Sequence, residues 1–252
     1  MTLVLSRGLC LAVVLSALLV MGWHGPIEQA AAYHQFADTR AWLSLPHAAD
    51  VLSNLGFLVV GLGGIGHMLG RETGLRRGDL GYGLFFLSLM LTAAGSAWYH
   101  LSPDNARLVW DRLPIALACA GLLGAVFCRC QEQLREWAVM GGLVVAAVFS
   151  VAWWRWTDLQ GLGDLRPYLL LQLLPLVLIP LLQAGSGTGR KERLGFALAI
   201  ACYVIAKGCE LADHAILEGL VVVSGHTLKH VFATAAAAVL AWVYASNTSE
   251  AA

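Results

Sequence analysis

The apolar positions of this chain gather into long runs separated by short polar breaks. The runs fall at 8–23, 50–70, 80–101, 108–128, 137–154, 167–184, 194–214 and 224–245. As helices they match the ~30 Å hydrocarbon core of a bilayer. A lone helix satisfies its own backbone in lipid, which a lone strand cannot do, so all eight runs are read as helices. The connections are short, and no separate soluble domain fits between the runs. The pattern predicts an all-α fold: a polytopic membrane helical bundle, with a seven-helix core preceded by an N-terminal hydrophobic segment. Pro175 and Pro180 share one run and predict a kinked helix.

Composition sharpens this. The 252 residues are 58% hydrophobic and 13% charged, far too apolar for a soluble domain of this length. The formal net charge is +0, so nothing points to nucleic acid. The six cysteines sit mostly inside apolar runs without a Cys-x-x-Cys pair, and read as small buried side chains.

Residues 1–32 stand apart. Arg7, an apolar run and then Ala30-Ala31-Ala32 have the layout of a signal peptide with a small-residue cleavage site, and an uncleaved anchor helix fits equally well. Either places residue 33 onward on the outer side. The membrane domain then covers 33–246, and 247–252 form a short cytoplasmic tail. Loop charge agrees: Arg71, Arg76 and Arg77, then Arg129 and Arg135, then Arg190, Lys191 and Arg193 fall in alternate loops, which the positive-inside rule places in the cytoplasm. Trp98, Trp110, Trp137, Trp153, Trp154 and Trp156 lie near run ends, as an aromatic belt would. The signal-like start and short loops read as an inner (plasma) membrane protein of a bacterium.

Against this background a few polar residues stand out. Ser96 precedes His100 by four positions, Asp111 follows eleven further on, and His226 and His230 repeat the four-residue spacing. The topology puts all five near the outer ends of three helices. Ionisable groups at membrane depth are costly and point to function. Residues four apart share a helix face, so His226 and His230 can bind one metal, with His100 as third ligand. Three histidines match a catalytic zinc that keeps one position open. Such a site would lower the pKa of a water to about 7 and polarise a carbonyl. The His-x-x-x-His element lacks the Glu of His-Glu-x-x-His zincins, so the general base must come from elsewhere; Asp111 is the best candidate. Ser96 would then serve an oxyanion or orient the water. Each residue alone also has a plainer reading, as a helix-helix hydrogen bond or, for Asp111-Arg112, an interfacial ion pair.

Four stretches resemble the alkaline ceramidase family, within the larger group that includes adiponectin-receptor-like seven-helix membrane hydrolases. They are Asp50-Val-Leu-Ser53-Asn54, Gly95-Ser96-Ala-Trp-Tyr-His100, Trp110-Asp111-Arg-Leu-Pro114 and Gly225-His226-Thr-Leu-Lys-His230. The resemblance covers roughly 34–245 and implies a zinc amidohydrolase. His100, His226 and His230 would bind Zn2+, Ser96 would stabilise the oxyanion, and Asp111 would accept and donate the proton. The implied substrate is a lipid amide of the ceramide type. The animal enzymes carry an acidic calcium-binding stretch before the first core helix. Here Asp38 and Asp50 are the only carboxylates in that region, fewer than calcium sites usually use, and Arg40 adds a repelling charge. Asp38 reads as a cap or loop residue, and Asp50 as a residue that orients the loop or starts the helix. The alternative is a seven-helix receptor or transport protein with a structural zinc.

Other signals are secondary. Lys207, Glu210 and His214 share a helix face at i, i+3 and i+7; Lys207 and Glu210 read as an internal ion pair, and Glu210 or Asp213 as a residue that could fix a ligand histidine. His67 lies away from the candidate site and reads as structural. Gly61-Leu-Gly63-Gly64-Ile-Gly66 matches a dinucleotide fingerprint by letter, but it sits inside an apolar helix with no strand before it, so close helix packing explains it better.

Overall fold

The computed structural model describes residues 3–72, 74–131 and 133–249. Among them ten helices follow in chain order: α1 Leu3–His24, α2 Ala48–Ser53, α3 Leu55–Leu69, α4 Asp79–Leu101, α5 Asn105–Cys130, α6 Glu136–Leu159, α7 Arg166–Gly185, α8 Arg190–Leu211, α9 Asp213–Leu220 and α10 Gly225–Ser249. Among the described residues eight segments are long and apolar enough to cross a membrane, with α2 and α3 together forming one of them. The chain is an all-α, multi-pass membrane protein.

Two of the hydropathy runs are broken in the structure, each for a local reason. The run 50–70 breaks at Asn54. The Asn54 side-chain amide donates to the Asp50 carbonyl at 2.7 Å, and the Ser53 hydroxyl donates to the same carbonyl at 3.0 Å. Side chains that take a backbone acceptor in this way compete with the helix ladder. The run 194–214 breaks at Ala212, so His214 belongs to α9 and does not share a helix face with Lys207 and Glu210. Its Nε2 instead meets the Gln35 carbonyl at 3.1 Å. The last run extends beyond 245, and α10 continues to Ser249.

The chain divides into two compact units. The first comprises Met1–Gln29, Arg71–Phe85 and Ile115–Arg193. Here α1 and α6 both pack on α7. The Ser6 hydroxyl donates to the Leu181 carbonyl at 2.6 Å. Buried charges are paired, as low dielectric requires: Arg71 with Asp79, and Arg129 with both oxygens of Glu192 at 2.9 and 3.0 Å. Asp164 gathers Arg166, the Trp153 indole and the Ile27 N–H. Burial alone would raise its carboxyl, but these donors hold it down at about 2. Trp154 departs from the aromatic belt, because its ring is fully buried.

The second unit comprises Ala30–Gly70, Phe86–Pro114 and Leu194–Ala252. It contains α2, α3, α9, α10 and parts of α4, α5 and α8. In α3 a Cβ on Gly61 would lie 2.7 Å from the Phe86 carbonyl oxygen, and one on Gly64 would lie 2.3 Å from the Phe86 ring. Gly61 and Gly64 therefore serve helix packing, as small residues do in lipid. His67 Nε2 meets the Thr248 hydroxyl at 2.8 Å and joins α3 to α10. All five candidate site residues belong to this unit.

Candidate metal centre

α10 is held at its start before its histidines are placed. Ser224 is its N-cap, and its hydroxyl oxygen accepts the Thr227 N–H at 3.0 Å. The next orphan donor, the His226 N–H, goes to Asp213 Oδ1 at 2.7 Å. A carboxylate there also suits the positive end of the helix. Asp213 Oδ2 accepts the Ala37 N–H at 2.9 Å. Recruitment of Asp213 to two other segments gives the α8–α9 break a physical cause. Asp213 thus fixes the backbone of a candidate ligand, not its imidazole. Gly225 is required here, since a Cβ would lie 2.1 Å from the Cys209 carbonyl oxygen.

From this start α10 carries His226 and His230 on one face, and α4 brings His100 to them. All three are buried, and one nitrogen from each lies within 4.8 Å of the others. The ring centroids are 4.8, 4.9 and 5.2 Å apart. His100 Nε2 and His226 Nε2 are separated by 3.2 Å. Two nitrogens bound tetrahedrally to zinc, each at about 2.0–2.1 Å, would be about 3.3 Å apart. The donor set therefore fits a metal ion.

The Ser53 hydroxyl stands 2.7 Å from His230 Nδ1 and 3.0 Å from the Asp50 carbonyl oxygen. With the Ser53 proton on that carbonyl, His230 Nδ1–H donates to Ser53 and Nε2 keeps a free lone pair, the arrangement a metal ligand needs. Asp50, buried in α2, accepts the Thr227 hydroxyl on Oδ1 at 2.7 Å and so ties α2 to the first turn of α10. His100 Nδ1 is buried with no hydrogen-bond partner among the described residues.

Ser96 lies one turn before His100 on α4, and its side chain is within hydrogen-bonding reach of Asp111 on α5. Both are buried. Gly95 permits the approach, since a Cβ there would lie 1.9 Å from the Trp110 carbonyl oxygen. The structure thus forms two groups from the five sequence candidates, a histidine triad and a serine-aspartate pair, linked through α4.

A strap of chain before α2 covers the triad. The Phe36 ring sits 4.7 Å from the His100 ring and 4.4 Å from the His226 ring. His34 donates from Nε2 to Asn105 Oδ1 at 2.8 Å, so its Nδ1 accepts the Tyr99 hydroxyl proton, also at 2.8 Å. Asp38 does not face the triad as a free carboxylate. Its Oδ1 accepts the Arg40 N–H and Nε–H at 3.0 and 2.8 Å, and its Oδ2 accepts Nη2–H at 2.6 Å. The Arg40 guanidinium holds the Asp38 carboxyl below the usual carboxylate range.

Lys207 and Glu210 form the expected ion pair at 2.5 Å, and Lys229 joins it at 3.1 Å. Sequence reasoning assigned no role to Lys229, Phe36 or Ser53. For Ser53 there was a signal: it and Asn54 are consecutive polar residues inside an apolar run. Comparison with known proteins found no family profile that matches this chain, and no curated protein that matches it significantly.

Proposed function

We propose that this chain is a zinc-dependent amidohydrolase that cleaves a ceramide-like lipid amide into a sphingoid-type amine and a fatty acid, as its resemblance to the alkaline ceramidases implies. The observation that carries the reading is the convergence of three buried imidazoles from α4 and α10, with Ser96 one turn before His100 on α4 and paired with Asp111 of α5. His100, His226 and His230 would hold the zinc. Bound there, zinc supplies a Lewis acid that polarises a carbonyl and brings the pKa of a water to about 7.

The remaining work falls to side chains. Asp111 takes a proton from the attacking water and delivers it to the amide nitrogen as the C–N bond breaks. The water oxygen stays on the acyl carbon, so the products are a carboxylic acid and an amine. Ser96 turns its hydroxyl from Asp111 to the substrate oxygen as negative charge gathers there. Ser53 keeps His230 in its ligating tautomer. Phe36 restricts water over two of the histidines. Loop charge supports a site toward the outer face of an inner membrane.

The test is turnover of ceramide by zinc-loaded protein in vesicles, read as released sphingoid base. Asp111→Asn should abolish turnover and keep its zinc. Full activity in that variant would sink the mechanism. If zinc-loaded wild type turns over no lipid amide, the zinc is structural and a receptor or transport role takes its place.

A further inference from the structure

Among the described residues four non-glycine positions have positive φ: Leu43 at 48°, Ser44 at 65°, His47 at 46° and Val221 at 64°. All four lie in two loops beside the candidate metal centre. In the first, Trp42 and Leu45 exchange backbone hydrogen bonds at 3.1 and 2.9 Å around Leu43 and Ser44. A two-residue turn with both central φ angles positive is the kind that normally selects Asn-Gly. This chain places Leu-Ser there. The second loop puts a β-branched valine at positive φ with ψ −35°, where such residues are genuine outliers.

The strained tips are also apolar and bare. Leu43 is 81% exposed, Trp42 61%, Val221 67% and Val222 77%. Arg40 fastens them together: Nη1 donates to the Val221 carbonyl at 2.9 Å and Nη2 to the Val222 carbonyl at 3.0 Å, while Asp38 grips the same guanidinium. Each tip lies just before a membrane-crossing segment, the first before Ala48 and the second before Gly225. That places both at the level where hydrocarbon begins. Backbone strain and solvent-exposed apolar tips are each unfavourable, and such strain concentrates at functional sites.

We infer that Trp42-Leu43 and Val221-Val222 form one apolar lip that inserts into the membrane interface beside the histidine triad and admits a lipid chain to it. Its occupant is the bilayer itself. The lip adjoins the triad along the chain, because the same strap carries Phe36 onto the triad and is tied by Ala37 to Asp213. Insertion stands on the geometry alone, whereas entry of a substrate rests on the amidohydrolase reading.

Insertion is tested with full-length protein in phosphatidylcholine vesicles that carry a nitroxide at a shallow acyl position. The difference in tryptophan emission between wild type and Trp42→Phe isolates Trp42. It should be blue-shifted and quenched by the nitroxide; red, unquenched emission would overturn the lip. For entry, Leu43→Gly removes the apolar tip and relieves the positive φ, so the protein should melt no earlier than wild type. The double variant Leu43→Asp, Val222→Asp removes both tips. Each should raise KM for vesicle-borne ceramide about tenfold while kcat and zinc content hold. KM for a short water-soluble amide should not change. Equal losses on both substrates, or no loss on ceramide, would overturn entry through the lip. A wild type that hydrolyses no amide would refute the hydrolase reading and leave the quenching result to decide insertion.

Discussion

Gly95→Ala puts one methyl group where α4 meets α5. The new Cβ would stand 1.9 Å from the Trp110 carbonyl oxygen, and ordinary contact begins near 3.4 Å. The obstacle is backbone, so no side-chain rotation removes it, and the helices must separate locally by about 1.5 Å. Ser96 and Asp111 are the next residues along each helix. A hydroxyl–carboxylate hydrogen bond of the usual ~2.7 Å would stretch beyond 4 Å and cease to be one. Overpacking of this kind costs about 1–3 kcal/mol. A misplacement of about 1 Å in a reacting constellation costs roughly 100-fold in rate. Two assays read the outcome: thermal unfolding in detergent, and kcat for ceramide on zinc-loaded protein. Both should fall, with zinc largely retained, because two of the three histidines lie on α10. Gly63→Ala is the control, since nothing lies within 4 Å of its added Cβ. It should be neutral or stabilising by up to about 1 kcal/mol. A Gly95→Ala protein with wild-type stability and turnover would refute the reasoning.

Other expectations follow from single contacts. Ser53→Ala removes the partner of His230 Nδ1 and should weaken zinc affinity about 10- to 100-fold in a competition titration, with Ser53→Thr close to wild type; unchanged affinity in the alanine variant would remove Ser53 from the site. Asp164 titrates near 2 in the fold, below the ~3.9 of an unfolded Asp, so the native state binds this proton more weakly and protonation favours unfolding. Its stabilisation is complete above about pH 4 and is lost as pH falls toward 2. The melting-temperature advantage of wild type over Asp164→Asn should therefore shrink across that window, and a constant difference would contradict the assignment.

The span pattern was legible because hydropathy reports burial in lipid directly. All eight runs reappear as membrane-length segments. The triad was legible because ionisable residues are rare at that depth and His226 and His230 carry a helical spacing. What escaped depends on contacts distant in sequence. The break at Asn54 needs two side chains competing for one carbonyl. The break at Ala212 separates His214 from Lys207 and Glu210, and follows from Asp213 serving α10 and the strap. Phe36 lies 64 positions before His100, and no local pattern announces a ring placed on it. Trp154 looked interfacial from its place in a run, but its burial depends on its neighbours in three dimensions.

Three buried histidines that form one metal centre should show it in zinc content, measured by elemental analysis on purified wild type and on His100→Ala, His226→Ala and His230→Ala. About one zinc is expected in the wild type, with near-complete loss in each variant. Folded wild type that carries no zinc and takes none up, or a variant that keeps its full complement, would contradict a single three-histidine centre.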